Sequence, residues 1–153
     1  MATTGEKLLA EFDSEMALTR GMLACVPDLY FAWAPHARSF TLGKLVNHLV
    51  VMPAWVAVVI HGMGKRPEES TSKADLLGTF DRNWTQGRKA LAGASDAELT
   101  SPTRDPWGLG SREAVLRSRG LAHMIHHRGQ LSVYLRLLDV PIPGMYGPSA
   151  DIR

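Results

Sequence analysis

Apolar residues recur at three- and four-residue steps along most of this chain, and the recurrences fall into four long blocks. In the first, Leu8/Leu9, Phe12, Met16, Thr19, Leu23 and Val26 share one face, with Glu6, Lys7, Glu11, Asp13 and Arg20 on the others. That spacing predicts a helix over 4–25, ended by Pro27. A second helix is predicted over 41–61, capped by Ser39 or Thr41, with Leu45, His48/Leu49, Met52, Trp55/Val56 and Val59 inward. Pro53 has no N–H to offer the carbonyl of Leu49, so a kink is expected just beyond His48. The other faces of this helix are also apolar. Val50, Val51, Ala54, Ala57 and Val58 lie off the stripe, which calls for heavy burial or a second subunit, and a homodimer is the expectation.

Ser72-Lys73-Ala74-Asp75 fits a capping box and opens a third helix to about 94, with Leu77, Phe80, Trp84, Gly87 and Leu91 inward. Ser95-Asp96-Ala97-Glu98 is a second such box before a short turn, and 102–110 reads as loop. A fourth helix is predicted over 111–138, its stripe Leu116, Gly120, His123, His127, Leu131, Tyr134 and Leu138. The tail 139–153, rich in proline and glycine, should be extended. No strand-like alternation competes. The pattern predicts an all-α protein, a four-helix bundle forming a single domain over 1–153. Its connections of about 15, 11 and 16 residues are long enough for crossovers.

Composition narrows the function. Acidic and basic residues are interspersed at a net charge of +2, without a basic cluster, so nucleic acid is not an expected partner. The longest uninterrupted apolar run, 49–60, is short for a bilayer and holds Pro53, so no membrane association is expected. Cys25 is the only cysteine, which excludes an internal disulfide and makes a reducing cytoplasm the expected compartment. Among apolar neighbours it reads as a small core residue.

The chemistry concentrates in His123-Met124-Ile125-His126-His127-Arg128-Gly129-Gln130. His123 and His127 are one turn apart on one face, a spacing at which two imidazoles can share a transition-metal ion. The competing reading is a pair of hydrogen-bonded core histidines. His48 is the remaining histidine on an inward stripe, whereas His61, at a helix end before Gly62, suits the terminal carbonyls. Three neutral imidazoles from two helices would leave an open position for water or substrate. Zn²⁺, Ni²⁺, Co²⁺ and Fe²⁺ all suit such ligands. His126 lies at the edge of the stripe, where a packing or hydrogen-bonding role beside the ligands is favoured over ligation. Arg128 points away from the pair and should find a carboxylate. Other metal chemistries drop out: H-E-x-x-H is broken by Met124, and no inward Glu-x-x-His pairs exist for a di-iron bundle.

The block His123-Met-Ile-His-His127-Arg128-Gly129-Gln130, followed by Tyr134-Leu135-Arg136, Val140-Pro141-Ile-Pro143 and Tyr146-Gly147-Pro148-Ser149-Ala150-Asp151, resembles the DinB-like superfamily of four-helix bundles. Leu45-Val46-Asn47-His48-Leu49 through Pro53-Ala54-Trp55 looks like its first metal motif. The resemblance implies His48, His123 and His127 as the ligands of a divalent metal, zinc or nickel. It also implies a metal-dependent enzyme that activates a low-molecular-weight thiol, or water, for transfer to a small electrophile in detoxification or stress response. The competing function is a non-catalytic, stress-related protein whose metal ties helices together.

Overall fold

The computed structural model describes residues 3–62, 68–105 and 108–151. Four long helical rods carry it, and short polar side chains start each of them. Thr3 caps α1 (Thr4–Ala24) and completes a capping box with Glu6. Thr41 caps α2 (Leu42–His61), and Ser72 caps α3 (Lys73–Gly93). Ser95 and Glu98 form a second box at α4 (Asp96–Thr100), as the sequence predicts. Each such side chain accepts a bond from one of the N–H groups that an α-helix leaves unpaired at its start.

The fourth rod is composite. Ser111 caps α5 (Arg112–Val115), a π-helical segment Leu116–Leu121 follows, and α6 (Ala122–Leu137) completes it. Between α4 and α5, β1 (Pro102–Asp105) pairs antiparallel with β2 (Gly108–Ser111), where the sequence predicts loop. Four-residue strands are too short to show a period in the sequence, and Pro106 and Trp107 lie outside the described residues. The tail beyond Leu137 is extended as expected, turning at Asp139, which adopts a left-handed φ of 56°.

Round the bundle the order is α1, α3, α2, α6. Arg20 pairs with Asp81, and Asp13 accepts from Trp84 and Arg88, so α1 and α3 are antiparallel. The Asn83 amide donates to the Val50 carbonyl, and Gly87 sits against Pro53, so α2 and α3 run parallel. Phe40 meets Tyr134 near one end and Val59 meets Arg112 near the other, making α2 and α6 antiparallel. The course is up, down, down, up. Asn47 holds the segment leading into α3 through reciprocal bonds with Ser70.

Parallel α2 and α3 approach closely at Gly87. A Cβ there would stand 2.2 Å from the Pro53 carbonyl oxygen. α3 covers much of the surplus apolar surface of α2. Val50 and Ala57, expected to need heavy burial or a second subunit, are buried within this chain, and Val51, Ala54 and Val58 stay half-buried. α2 is long and apolar enough to cross a membrane by composition, yet its side chains Leu45, Leu49, Met52 and Val56 fill the bundle core.

The π segment corrects the predicted stripe of the last helix. A π turn takes up one residue more than an α turn, so the buried row shifts by one position after it. The core side chains of α6 are Met124, Arg128, Leu131 and Leu135, with Tyr134 at their edge. His123 and His127, predicted to lie on the inward row, stand beside it. His123 is exposed and His127 half-buried.

Candidate metal centre

Arg128 sets the rotation of α6. Its side chain is 3% exposed, and its Nη2 donates to Glu15 Oε2 at 2.6 Å. Nη1 donates to the Glu15 carbonyl and to Thr19 Oγ1, both at 3.1 Å. Tyr146, from the tail, donates to Glu15 Oε2 at 2.8 Å and accepts from Arg128. The carboxylate expected for Arg128 is thus Glu15, and the pair lies between α1 and α6. An ion pair removed from water needs its remaining donors satisfied, and Thr19, the Glu15 carbonyl and Tyr146 do this. Burial, followed by the bond to Glu15, raises the Tyr146 pKa and keeps its hydroxyl a donor.

With α6 fixed this way, the neighbouring row faces the rim of α2. His48, His123 and His127 come together, their ligand atoms all within 4.8 Å of one another. Ring centroids stand 4.5 Å apart for His48–His127, 5.2 Å for His48–His123 and 4.6 Å for His123–His127. Nε2 of His127 lies 2.8 Å from Nε2 of His123. Two lone pairs at that distance repel unless a proton or a cation lies between them.

Gln130 decides which nitrogen of His127 faces the cluster. Its Oε1 lies 2.7 Å from His127 Nδ1, and an amide oxygen can only accept. Nδ1 therefore carries the proton, and the Nε2 lone pair is left for the cluster, the orientation a metal ligand requires. Burial lowers the His127 pKa; the Gln130 bond opposes this, and His123 and His126 add to the lowering. The ring is neutral at physiological pH. Tetrahedral zinc with N ligands at about 2.0–2.1 Å places its nitrogens about 3.3 Å apart, so the three imidazoles fit a divalent transition metal with small side-chain shifts. His123 opens the cluster to solvent.

His126 stands aside, its ring 5.0 Å from that of His127 and exposed, outside the three-residue group. His61 is the last residue of α2, exposed, before Gly62 in a left-handed cap. Cys25 lies half-buried at the end of α1 against the core, its thiol donating weakly to the Gly21 carbonyl. Burial raises its pKa, so it is a poor nucleophile. Gly120 faces the Trp55 ring, whereas nothing approaches Gly129, which is not a helix contact.

An aromatic loop forms the wall beside His48. Gly43 N donates to the Phe31 carbonyl and Leu42 N to that of Trp33, folding 31–41 back on the start of α2. Tyr134 packs edge-on against Trp33 and donates to the Phe40 carbonyl at 3.1 Å. The Phe40 ring meets His48 edge-on at 6.3 Å, and Lys44 Nζ lies 4.5 Å above that ring. Sequence periodicity misses Phe40 and Lys44, because Phe40 belongs to a loop and Lys44 is polar. The signal available was position alone: Lys44 lies one turn before His48.

The sequence profile of the DinB family matches residues 1–151. A DinB-like protein of Bacillus cereus has a similar structure, with a TM-score of 0.76 and 25% identity over 90% of this chain and 95% of its own. The DinB-like protein YjoA of Bacillus subtilis gives a TM-score of 0.77 and 20% identity over 91% of this chain and 97% of its own. No curated protein matches the sequence.

Proposed function

The chain belongs to the DinB family, and from that premise we propose that it is a cytoplasmic, divalent-metal-dependent enzyme transferring a low-molecular-weight thiol to a small electrophile. The observation that carries this reading is the convergence of His48, His123 and His127 at a solvent-facing rim. A divalent metal there, zinc or nickel, supplies the Lewis acidity that makes a thiol or water nucleophilic at neutral pH. His48, His123 and His127 bind it as neutral donors, and Gln130 holds His127 in the required tautomer. Phe40 offers an apolar wall to the electrophile. Among the described residues the ligand group contains no carboxylate, so a thiol bound there would lose its proton to solvent, its pKa lowered by the metal that His48, His123 and His127 would hold.

The competing reading is a non-catalytic protein whose metal links α2 to α6. The exposed His123 favours the catalytic reading, since a purely structural ion is better enclosed. The test is elemental analysis followed by cobalt substitution. His48→Ala, His123→Ala and His127→Ala should each lose the metal, while His126→Ala and His61→Ala keep it. Bacillithiol, mycothiol, glutathione or coenzyme A should add a near-ultraviolet sulfur-to-cobalt band and release a proton. Cobalt uptake without any thiol band, and metal loss that unfolds the bundle, would decide for the structural reading.

A further inference from the structure

We propose that Lys44 is the specificity residue of this site, its ammonium receiving a carboxylate carried by the small molecule that meets the histidine triad. The inference rests on the metal-centred reading above and adds the charge of the substrate. Lys44 lies one turn before His48, so their side chains leave the same face of α2, about 6 Å apart along its axis. Its Nζ is held 4.5 Å above the Phe40 ring, and that ring in turn stands edge-on to His48. Ammonium, aromatic face and imidazole therefore line one wall. Phe40 is 38% exposed, leaving its ring partly open to a ligand.

Apart from the Phe40 ring beneath its ammonium, nothing described in the local fold calls for a cation at this position. The third residue of α1, α3 and α4 is acidic in each case: Glu6, Asp75 and Glu98. Those carboxylates suit the positive end of a helix. In α2 the same place holds Lys44, whose charge opposes the helix dipole. Among the described residues Lys44 makes no ion pair, and its ammonium rests on the Phe40 ring alone. A lysine placed against the dipole, unpaired and beside the triad is arranged for an anion that arrives from outside. A carboxylate accepts from the ammonium, and a spacer of about two carbons spans one helical turn to a metal-binding head. The apolar part of the molecule rests on Phe40.

Cobalt-loaded protein provides the test, with wild type, Lys44→Gln and Lys44→Arg compared at low salt. Three pairs of probes differ by a carboxylate. Imidazole-4-acetate against 4-methylimidazole reads an anion on a nitrogen ligand, independently of thiol chemistry. 3-Mercaptopropionate against 2-mercaptoethanol places the carboxylate on the thiol; both are read as Kd from the cobalt spectrum. Iodoacetate against iodoacetamide, with 2-mercaptoethanol present, places it on the electrophile and is read as alkylation rate. In that reaction the thiolate sulfur forms the new C–S bond, the C–I bond breaks and iodide leaves.

The preference for the anionic member should fall about fivefold in Lys44→Gln and persist in Lys44→Arg, with neutral probes unaffected. Lys44 dependence in at least one pair supports the inference. Its absence from all three, or equal weakening of charged and neutral probes, overturns it. Lys44 dependence of the nitrogen pair without thiol binding keeps this inference and removes the thiol reading. Failure to take up cobalt overturns both.

Discussion

Arg128→Met tests whether the buried pair between α1 and α6 holds the last helix in place. The Arg128 and Glu15 side chains are 3% and 12% exposed, and the guanidinium reaches Glu15 Oε2, the Glu15 carbonyl, Thr19 and Tyr146. Removing one partner of such a pair leaves an uncompensated carboxylate out of water and costs roughly 3–5 kcal/mol. Glu15 keeps some exposure, which places the cost near the lower end, about 3 kcal/mol. For a chain of this size that lowers Tm by roughly 6–12 °C. Urea unfolding followed by far-ultraviolet circular dichroism measures it, with an unchanged m-value as the control. Arg128→Met combined with Glu15→Leu should recover most of the loss, because both desolvated charges are then gone. A single variant within about 1 kcal/mol of wild type would refute the reasoning. So would a double variant no more stable than the single one.

Gln130→Ala should weaken metal binding about 10- to 100-fold, since His127 loses the acceptor that fixes its tautomer. A zinc titration against a chromophoric chelator reads this, and wild-type affinity in the variant would remove the orienting role. Gly87→Ala should destabilise the bundle by about 1–3 kcal/mol, because its Cβ would collide with the Pro53 carbonyl; an unchanged Tm contradicts the close approach. His127 is held below the ordinary imidazole value of 6.5, first by burial. The neutral ring then contributes stability that is complete above pH 6.5 and lost as pH falls through the lowered value. Metal should accordingly be retained at pH 7 and shed on the acid side of 6.5, as elemental analysis after dialysis can show. A second copy covering Val51, Ala54 and Val58 would give a mass of about 34 kDa by light scattering, twice 16.8 kDa; a concentration-independent 17 kDa species rules it out.

Much of this architecture is legible from periodicity. The four rods, their polar caps and the extended tail all follow from spacing and from short-range hydrogen bonding. The juxtaposition of His48 with His123 and His127 was legible too, though for a partly mistaken reason. An ideal α-helix carries the histidines onto the core row, but the π segment at Leu116–Leu121 moves Arg128 there instead. Residue patterns do not announce a π turn, because its extra residue is accommodated by packing rather than by local preference. The direction of each rod was equally hidden. It depends on long-range pairs such as Asn83 with Val50, which no local window contains. Phe40 and Lys44 escaped because an irregular loop and a polar residue carry no periodic signal.

The up-down-down-up course has a kinetic consequence. In a bundle whose neighbours in space are neighbours in sequence, each helix can dock on the one just made. Here α1 packs on α3 rather than on α2, with Arg20 meeting Asp81 across 61 residues, and α2 in turn meets α6, where Tyr134 reaches Phe40 across 94. Contacts of that range require loop closure before they return any energy, so this chain should fold more slowly than a simple up-and-down bundle of equal length. The histidines of α6 reach His48 only once that last helix has docked. Metal uptake during refolding would therefore register the final assembly step, giving a spectroscopic clock for a transition that helix content alone does not resolve.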